Sequence, residues 1–273
     1  MSHLRAAEGR ATRFDVRSTD GTPLAVWVDG DGPPLVMVHG SLRDHTTFGP
    51  LVDELHADVT TFAMDRRGFV ASGDTPGYAI ERDFEDVAAV VDAVVARTGG
   101  TVAVWGHSYG ANCAMGGAAL ARNVDHLVLY EPSLGMVYPA GLIDAIEEAV
   151  AAGDMETAIR AILVEILELT EEECDTMRSG PQWPALLAAA PTVSRECRAE
   201  EGWVYRPGRF DGIAAPTLLP AGTESPSRLN EATHRAAGAI PDARIQMLEG
   251  HAHMAHKTDP AMVATVIGRF IRS

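Results

Sequence analysis

One pentapeptide limits what this chain can fold into. Gly106-His107-Ser108-Tyr109-Gly110 follows the apolar run Val102–Trp105 and precedes a stretch of small residues containing Ala111, Ala114, Gly116, Gly117 and Ala118. A G-x-S-x-G between a strand and a helix reads as a nucleophile elbow, in which the glycines permit a turn too tight for side chains and hold the serine at the strand end. The N-terminus of the following helix points backbone N–H groups at charge developing beside that serine. Read without chemistry, the same residues make an ordinary glycine-rich strand-to-helix turn. Either way the segment demands a strand with a helix packed behind it.

The rest of the chain supplies such a framework. Short β-branched runs predict strands at Phe14–Arg17, Leu24–Val28, Leu35–Val38, Val59–Met64, Val102–Trp105 and Leu127–Tyr130. Asp20-Gly21 joins the first two as an antiparallel hairpin, and the later strands alternate with helices and are expected to be parallel. Phe84, Val87, Val91 and Val94 fall at helical spacing between Ile80 and Arg97, and Thr98-Gly99-Gly100 stops that helix. From Ser133 to about Asp211 the strand signal disappears. Leu142–Ala152, Met155–Leu169 and Trp183–Ala190 read as helices between Gly and Pro punctuation. After Ala215-Pro216 the alternation resumes, with strands at Thr217–Leu219 and Arg244–Leu248 and helices at Ser227–Gly238 and Ala261–Ile271. The fold class is therefore α/β, with residues 1–132 and 213–273 forming a core domain and residues 133–212 an inserted all-helical cap.

A serine hydroxyl is a poor nucleophile at neutral pH, so a base must take its proton and a third group must orient that base. His251, His253 and His256 follow the last expected strand, and one of them suffices. His39, His45, His107 and His234 have bland readings as loop or elbow residues satisfied by backbone. Carboxylates at strand ends are Glu131, after Leu127–Tyr130, and Glu224, after the strand near Thr217; each could equally cap a turn.

With His39-Gly40 after the third strand, Asp65-Arg66-Arg67-Gly68 after the fourth, the Ser108 elbow and a late histidine before the final helix, nearly the whole chain resembles the α/β-hydrolase family. The resemblance implies an eight-stranded, mostly parallel sheet flanked by helices, and a Ser-His-acid triad. Counting seven residues back from Pro260 favours His253 as the histidine, leaving His256 as a lining or surface residue. Many members carry an aspartate three residues after a glycine following the seventh strand, but Gly222-Thr223-Glu224-Ser225 places serine there and Glu224 one residue early. Other members, fungal zearalenone lactonases among them, place a glutamate after the sixth strand, which favours Glu131 with Glu224 as the alternative. The implied oxyanion donors are the backbone N–H groups of Tyr109 and Ser41; the Ser41 hydroxyl could instead cap the helix near Thr46. Arg67-Gly68-Phe69-Val70-Ala71-Ser72 has Val70 where the family often has a second glycine, so that loop is expected to differ in shape.

Composition then narrows the function. The formal charge of −16 with a single lysine, Lys257, excludes a nucleic-acid backbone as partner. Cys113, Cys174 and Cys197 lack redox or zinc spacing, Met1–Arg13 has no apolar h-region, and no run is long enough to span a bilayer, so a cytoplasmic enzyme without cofactor or metal is expected. There is no strand followed by G-x-G-x-x-G and no helical H-E-x-x-H. The reading is a serine esterase or lactonase acting on a small, uncharged, mainly apolar substrate. Trp183, Trp203, Tyr205, Met136 and Met177 are candidate lining residues, and Arg66, Arg67 and Arg206 the cations to check for anion recognition. The same site also suits acyl transfer, carbon–carbon hydrolysis, lyase chemistry or a ligand-binding receptor, and the sequence leaves a homodimer open.

Overall fold

The computed structural model describes residues 11–273; most of the Met1–Arg13 segment read above lies outside them. Eight strands form one sheet: β1 (Thr12–Arg17), β2 (Pro23–Gly30), β3 (Pro34–Val38), β4 (Thr60–Met64), β5 (Val102–His107), β6 (Val124–Tyr130), β7 (Thr217–Gly222) and β8 (Ala243–Leu248). Their order is β1-β2-β4-β3-β5-β6-β7-β8. The pairs β1–β2 and β2–β4 are antiparallel and all the others parallel. Parallel strands are covered on both faces, which is why β3, β5 and β7 read as unbroken apolar runs rather than alternating ones.

The helices are α1 (Gly49–Leu55), α2 (Ile80–Thr98), α3 (Tyr109–Leu120), α4 (Leu142–Ala151), α5 (Met155–Ala161), α6 (Glu171–Arg178), α7 (Trp183–Glu201), α8 (Ser227–Gly238), α9 (Ala255–Thr258) and α10 (Pro260–Ile271). One face of the sheet packs on α2, α3 and α8 through Phe84, Val87, Val91 and Val94, and the other on α1 and α10 around Trp105 and Tyr130. Burying each of these large apolar side chains contributes roughly 1.5–3 kcal/mol. Helices α2 and α3 approach closely because α3 is glycine-rich: a Cβ on Gly116 would lie 2.1 Å from the Phe84 ring, and one on Gly117 2.5 Å from Val87.

Between β6 and β7 there is no strand. Helices α4 to α7 bury a separate cluster that includes Ile143, Ile146, Ile159, Leu163, Leu186 and Val193. Two details depart from the sequence reading. The stripe from Met155 is α-helical only to Ala161; residues Ile162–Ile166 form a π turn, and Glu168 takes φ 58° to leave it. Helix α7 does not stop at Ala190 but runs through Pro191 to Glu201. Proline removes one helical hydrogen bond at a cost of about 3 kcal/mol, and burial of Val193, Glu196, Cys197 and Glu200 beyond it keeps the helix intact. The acidic helix α6 carried no apolar period. Its start is fixed by a capping box between Thr170 and Glu173.

Candidate active site

Ser108 joins β5 to α3 with φ 55° and ψ −126°, a conformation that costs a non-glycine residue about 1–3 kcal/mol and persists only where its surroundings enforce it. They do so by contact. A Cβ on Gly106 would lie 2.5 Å from Gly110 O, and one on Gly110 2.3 Å from both His39 O and Val38 O. Neither glycine admits a side chain, so the elbow is clamped between its own helix and the end of β3. The backbone N–H groups of Tyr109 and Ser41 donate to no other group among the described residues, as donors reserved for a ligand oxygen would.

Glu131 and His253 come together from opposite ends of the sequence. Glu131 follows directly on β6 with φ 46° and is fully buried. Its Oε1 accepts from the Gly222 N–H at 2.6 Å, and its Oε2 accepts from His253 Nδ1 at 2.5 Å. A proton on Nδ1 leaves the Nε2 lone pair free to act as a base. Glu224 is exposed; its backbone N–H donates to His251 O at 3.0 Å, and its carboxylate has no contact with His253. Strand-end carboxylates are alike in sequence; only the first is turned toward the imidazole.

The loop that carries His253 is held by its backbone. His107 Nε2 donates to His253 O at 2.8 Å, and the Tyr130 hydroxyl donates to Ala252 O at 2.6 Å. Burial and the neighbouring His256 and His253 keep the His107 pKa well below its usual value, so it is a neutral donor. His256 is also buried, under Phe48, Trp105 and Tyr130, and its pKa is lowered to about 3; it belongs to the core rather than to the pocket lining. The His251 ring faces Asp259, with Nε2 at 3.8 Å from its carboxylate. His39 accepts from Arg66 N at 3.0 Å, and His45 donates to Asp65 at 2.7 Å.

The Ser41 hydroxyl does not cap a helix. The turn at His45–Phe48 is capped by Asp44, which accepts from Thr46 N at 2.8 Å, whereas Ser41 donates to Glu196 Oε2 of α7 at 2.6 Å. Glu196 is in turn paired with Arg66 at 2.7 Å. Arg66 is fully buried, donates through Nε to His39 O at 2.8 Å, and has Asp83 within 3.6 Å. Arg67 is buried against Asp86 at 2.7 Å, with Asp20 at 3.1 Å. Both arginines are consumed in structural pairs. Val70 adopts φ 37°, so its backbone takes the left-handed conformation a glycine there would take, and its side chain is 73% exposed.

A family model described as the alpha/beta hydrolase family matches residues 35–266. The chain belongs to the α/β-hydrolase family. Among solved structures, this α/β hydrolase is 32% identical to an α/β hydrolase of Sphaerobacter thermophilus, with TM-score 0.81 over 94% of this chain and 100% of that one. An enol-lactonase of Burkholderia xenovorans shares the fold at 19% identity and TM-score 0.72, covering 95% of this chain and 100% of that one. By sequence the hydrolase is 26% identical over 263 residues to the 2-(acetamidomethylene)succinate hydrolase of Mesorhizobium japonicum, 91% of each chain.

Ser108 and His253 line a cavity of about 60 Å³. Its far wall comes from the inserted helices and the segments beside them: Met136, Tyr138, Ile162, Ile166, Leu167, Val193 and Cys197. Of the expected lining residues only Met136 is there. Trp183 and Met177 pack within the helical cluster, and Trp203 and Tyr205 against the main core. A larger groove of 520 Å³ lies between residues 78–81 and α7 and contains Arg206, but neither Ser108 nor His253; chemistry decides in favour of the smaller space. The sequence reading missed two charged residues in the lining of the smaller cavity, Arg43 and Glu200. Glu200 is buried and accepts hydrogen bonds from Ser133, Tyr138 and Asn112. Desolvation outweighs those bonds and raises its pKa to about 7. No cluster among the described residues is arranged to hold a metal ion, and none of their helices is long and apolar enough to cross a membrane.

Proposed function

We propose that the protein is a serine hydrolase that cleaves a small carboxylic ester or lactone through an acyl-enzyme. The observation that carries this reading is the strained Ser108 elbow sharing a cavity with a His253 whose Nδ1 is bound to buried Glu131. Ser108 Oγ attacks the carbonyl carbon while His253 Nε2 takes its proton, and Glu131 fixes the tautomer and stabilises the imidazolium. The oxyanion is received by the N–H groups of Tyr109 and Ser41, donors worth about 3 kcal/mol each at such sites. His253 then protonates the leaving alcohol, which stays attached to the acyl group in a lactone, and next deprotonates the water that frees Ser108. Helices from residues 133–212 act as a cap whose apolar side chains exclude bulk water during acylation. The enol-lactonase and the succinate-type hydrolase named above support hydrolysis as the general reaction. The buried free thiols of Cys113, Cys174 and Cys197 support a reducing, cytoplasmic location.

Stopped-flow hydrolysis of p-nitrophenyl esters tests the proposal. The wild type is expected to show an acyl burst, and both burst and fluorophosphonate labelling should be absent in Ser108→Ala. Equal turnover by that variant would sink the assignment.

A further inference from the structure

Arg43 is the cation that the site leaves unexplained. It lies two residues beyond Ser41, a span of at most about 7 Å along the backbone, and it lines the cavity with Ser108, His253 and Met254. It is partly buried, yet it makes no hydrogen bond or ion pair with any described residue. The two fully buried arginines behave differently: Arg66 has Glu196 and Asp83, and Arg67 has Asp86 and Asp20. Asp44, the adjacent carboxylate, accepts from Thr46 through the backbone N at 2.8 Å and the hydroxyl at 2.5 Å; its charge acts on Arg43, but no hydrogen bond joins the two. None of its nitrogens is both sealed from solvent and unpartnered, so the guanidinium can meet an acceptor that enters the cavity without first giving up a protein partner.

Around this end of the cavity two cations, Arg43 and Lys257, face one carboxylate, Asp44, a balance that favours an incoming anion. Lys257, just past the catalytic loop on α9, is depressed to about 8 by burial and by Arg43 itself. His107 and His256, which also feel Arg43, are kept neutral. Across the cavity Glu200 sits on α7 near its own titration point, while Glu131 is occupied by His253 and Gly222. A local positive patch in a chain of charge −16 concentrates an anion that the rest of the surface repels. The planar fork of arginine matches a carboxylate with two parallel hydrogen bonds.

We propose that Arg43 is the receptor for a carboxylate on the substrate, so that the ester or lactone carries an anionic group remote from the scissile bond. This replaces the uncharged substrate expected from the sequence, and it rests on the hydrolase reading given above. A half-ester of a dicarboxylic acid is the simplest molecule that carries both the scissile bond and the carboxylate.

The test compares 4-nitrophenyl hydrogen glutarate with 4-nitrophenyl pentanoate, which share acyl length and differ in the terminal carboxylate, after subtraction of uncatalysed hydrolysis. In Arg43→Gln the ratio of the two kcat/KM values is expected to fall roughly 10- to 100-fold, the value of a hydrogen bond to a charged group, and Arg43→Lys should recover part of it. An unchanged ratio overturns the proposal. Calorimetric titration of glutarate into Ser108→Ala, with and without Arg43→Gln, reads the anion site without turnover; binding that does not depend on Arg43 also overturns it. Fluorophosphonate labelling of the wild type reports separately on Ser108. Glutarate binding through Arg43 without labelling supports the anion site and rejects the hydrolase, whereas labelling with an Arg43-independent ratio does the reverse.

Discussion

Replacing Glu200 by glutamine should change how the stability of this protein depends on pH. Glu200 is fully desolvated, and its pKa is raised from 4.5 to about 7 by that burial, against hydrogen bonds from Ser133, Tyr138 and Asn112 that favour the anion. A carboxyl group whose pKa is higher in the folded state binds its proton more tightly there. Its neutral form therefore supports folding below pH 4.5, and the support is lost as pH rises through 7. At 1.36 kcal/mol per tenfold change in proton affinity, the loss amounts to about 3 kcal/mol, nearly complete by pH 7.5. Glutamine has a similar shape, presents an acceptor oxygen to the same neighbours and does not titrate. Urea unfolding of both proteins from pH 4 to pH 8.5 gives the difference in free energy at each pH, in which the contributions of the other titrating groups cancel. That difference should move by about 3 kcal/mol in favour of Glu200→Gln between pH 4.5 and 7.5 and then level off. A difference that stays flat to within about 0.5 kcal/mol across the range would show that Glu200 titrates as it does in water, and would refute the argument from burial.

Three further outcomes are expected. Glu131→Gln should lower kcat on an activated ester by roughly 10³- to 10⁴-fold, as loss of the orienting carboxylate does in other triads, while Glu224→Gln should leave it within threefold; steady-state kinetics decides, and a larger loss at Glu224 would reverse the assignment. Gly110→Ala should destabilise the fold by about 3 kcal/mol or prevent its accumulation, because its Cβ would meet two backbone carbonyls at 2.3 Å; a melting temperature equal to wild type would show that the elbow is looser than described. Leu163→Ala, in the core of the inserted helices, should cost about 2–5 kcal/mol by chemical denaturation, and a change below 1 kcal/mol would mean that those helices unfold apart from the rest.

What could be read in the sequence was what local chemistry fixes. The elbow, the strand before it and the small-residue helix after it occupy adjacent residues, so Ser108 and its flanking elements were legible together. Glu131 and Glu224 were not separable in the same way, because each simply follows a strand; their difference lies in which one the sheet brings opposite His253, a contact across 122 residues. Helix α7 was cut short because Pro191 is a local stop signal, and the burial that overrides it depends on the tertiary partners of Glu196 and Glu200. Arg43 gave no signal at all. An arginine in a loop becomes informative only when the fold shows that it lines the cavity and that no carboxylate, Asp44 included, is hydrogen-bonded to it.

The tie from Ser41 to Glu196 to Arg66 also bears on how such enzymes can be recombined. Grafting the helices between β6 and β7 of a relative onto this sheet would exchange not only the pocket wall but also the carboxylate that holds Ser41 and neutralises a buried arginine. A graft lacking glutamate at the position of Glu196 would leave Arg66 without its nearest counter-charge and the Ser41 hydroxyl without its acceptor. The helices between β6 and β7 and the sheet therefore form a heritable pair, and chimeras that preserve Glu196 should be the ones that remain folded.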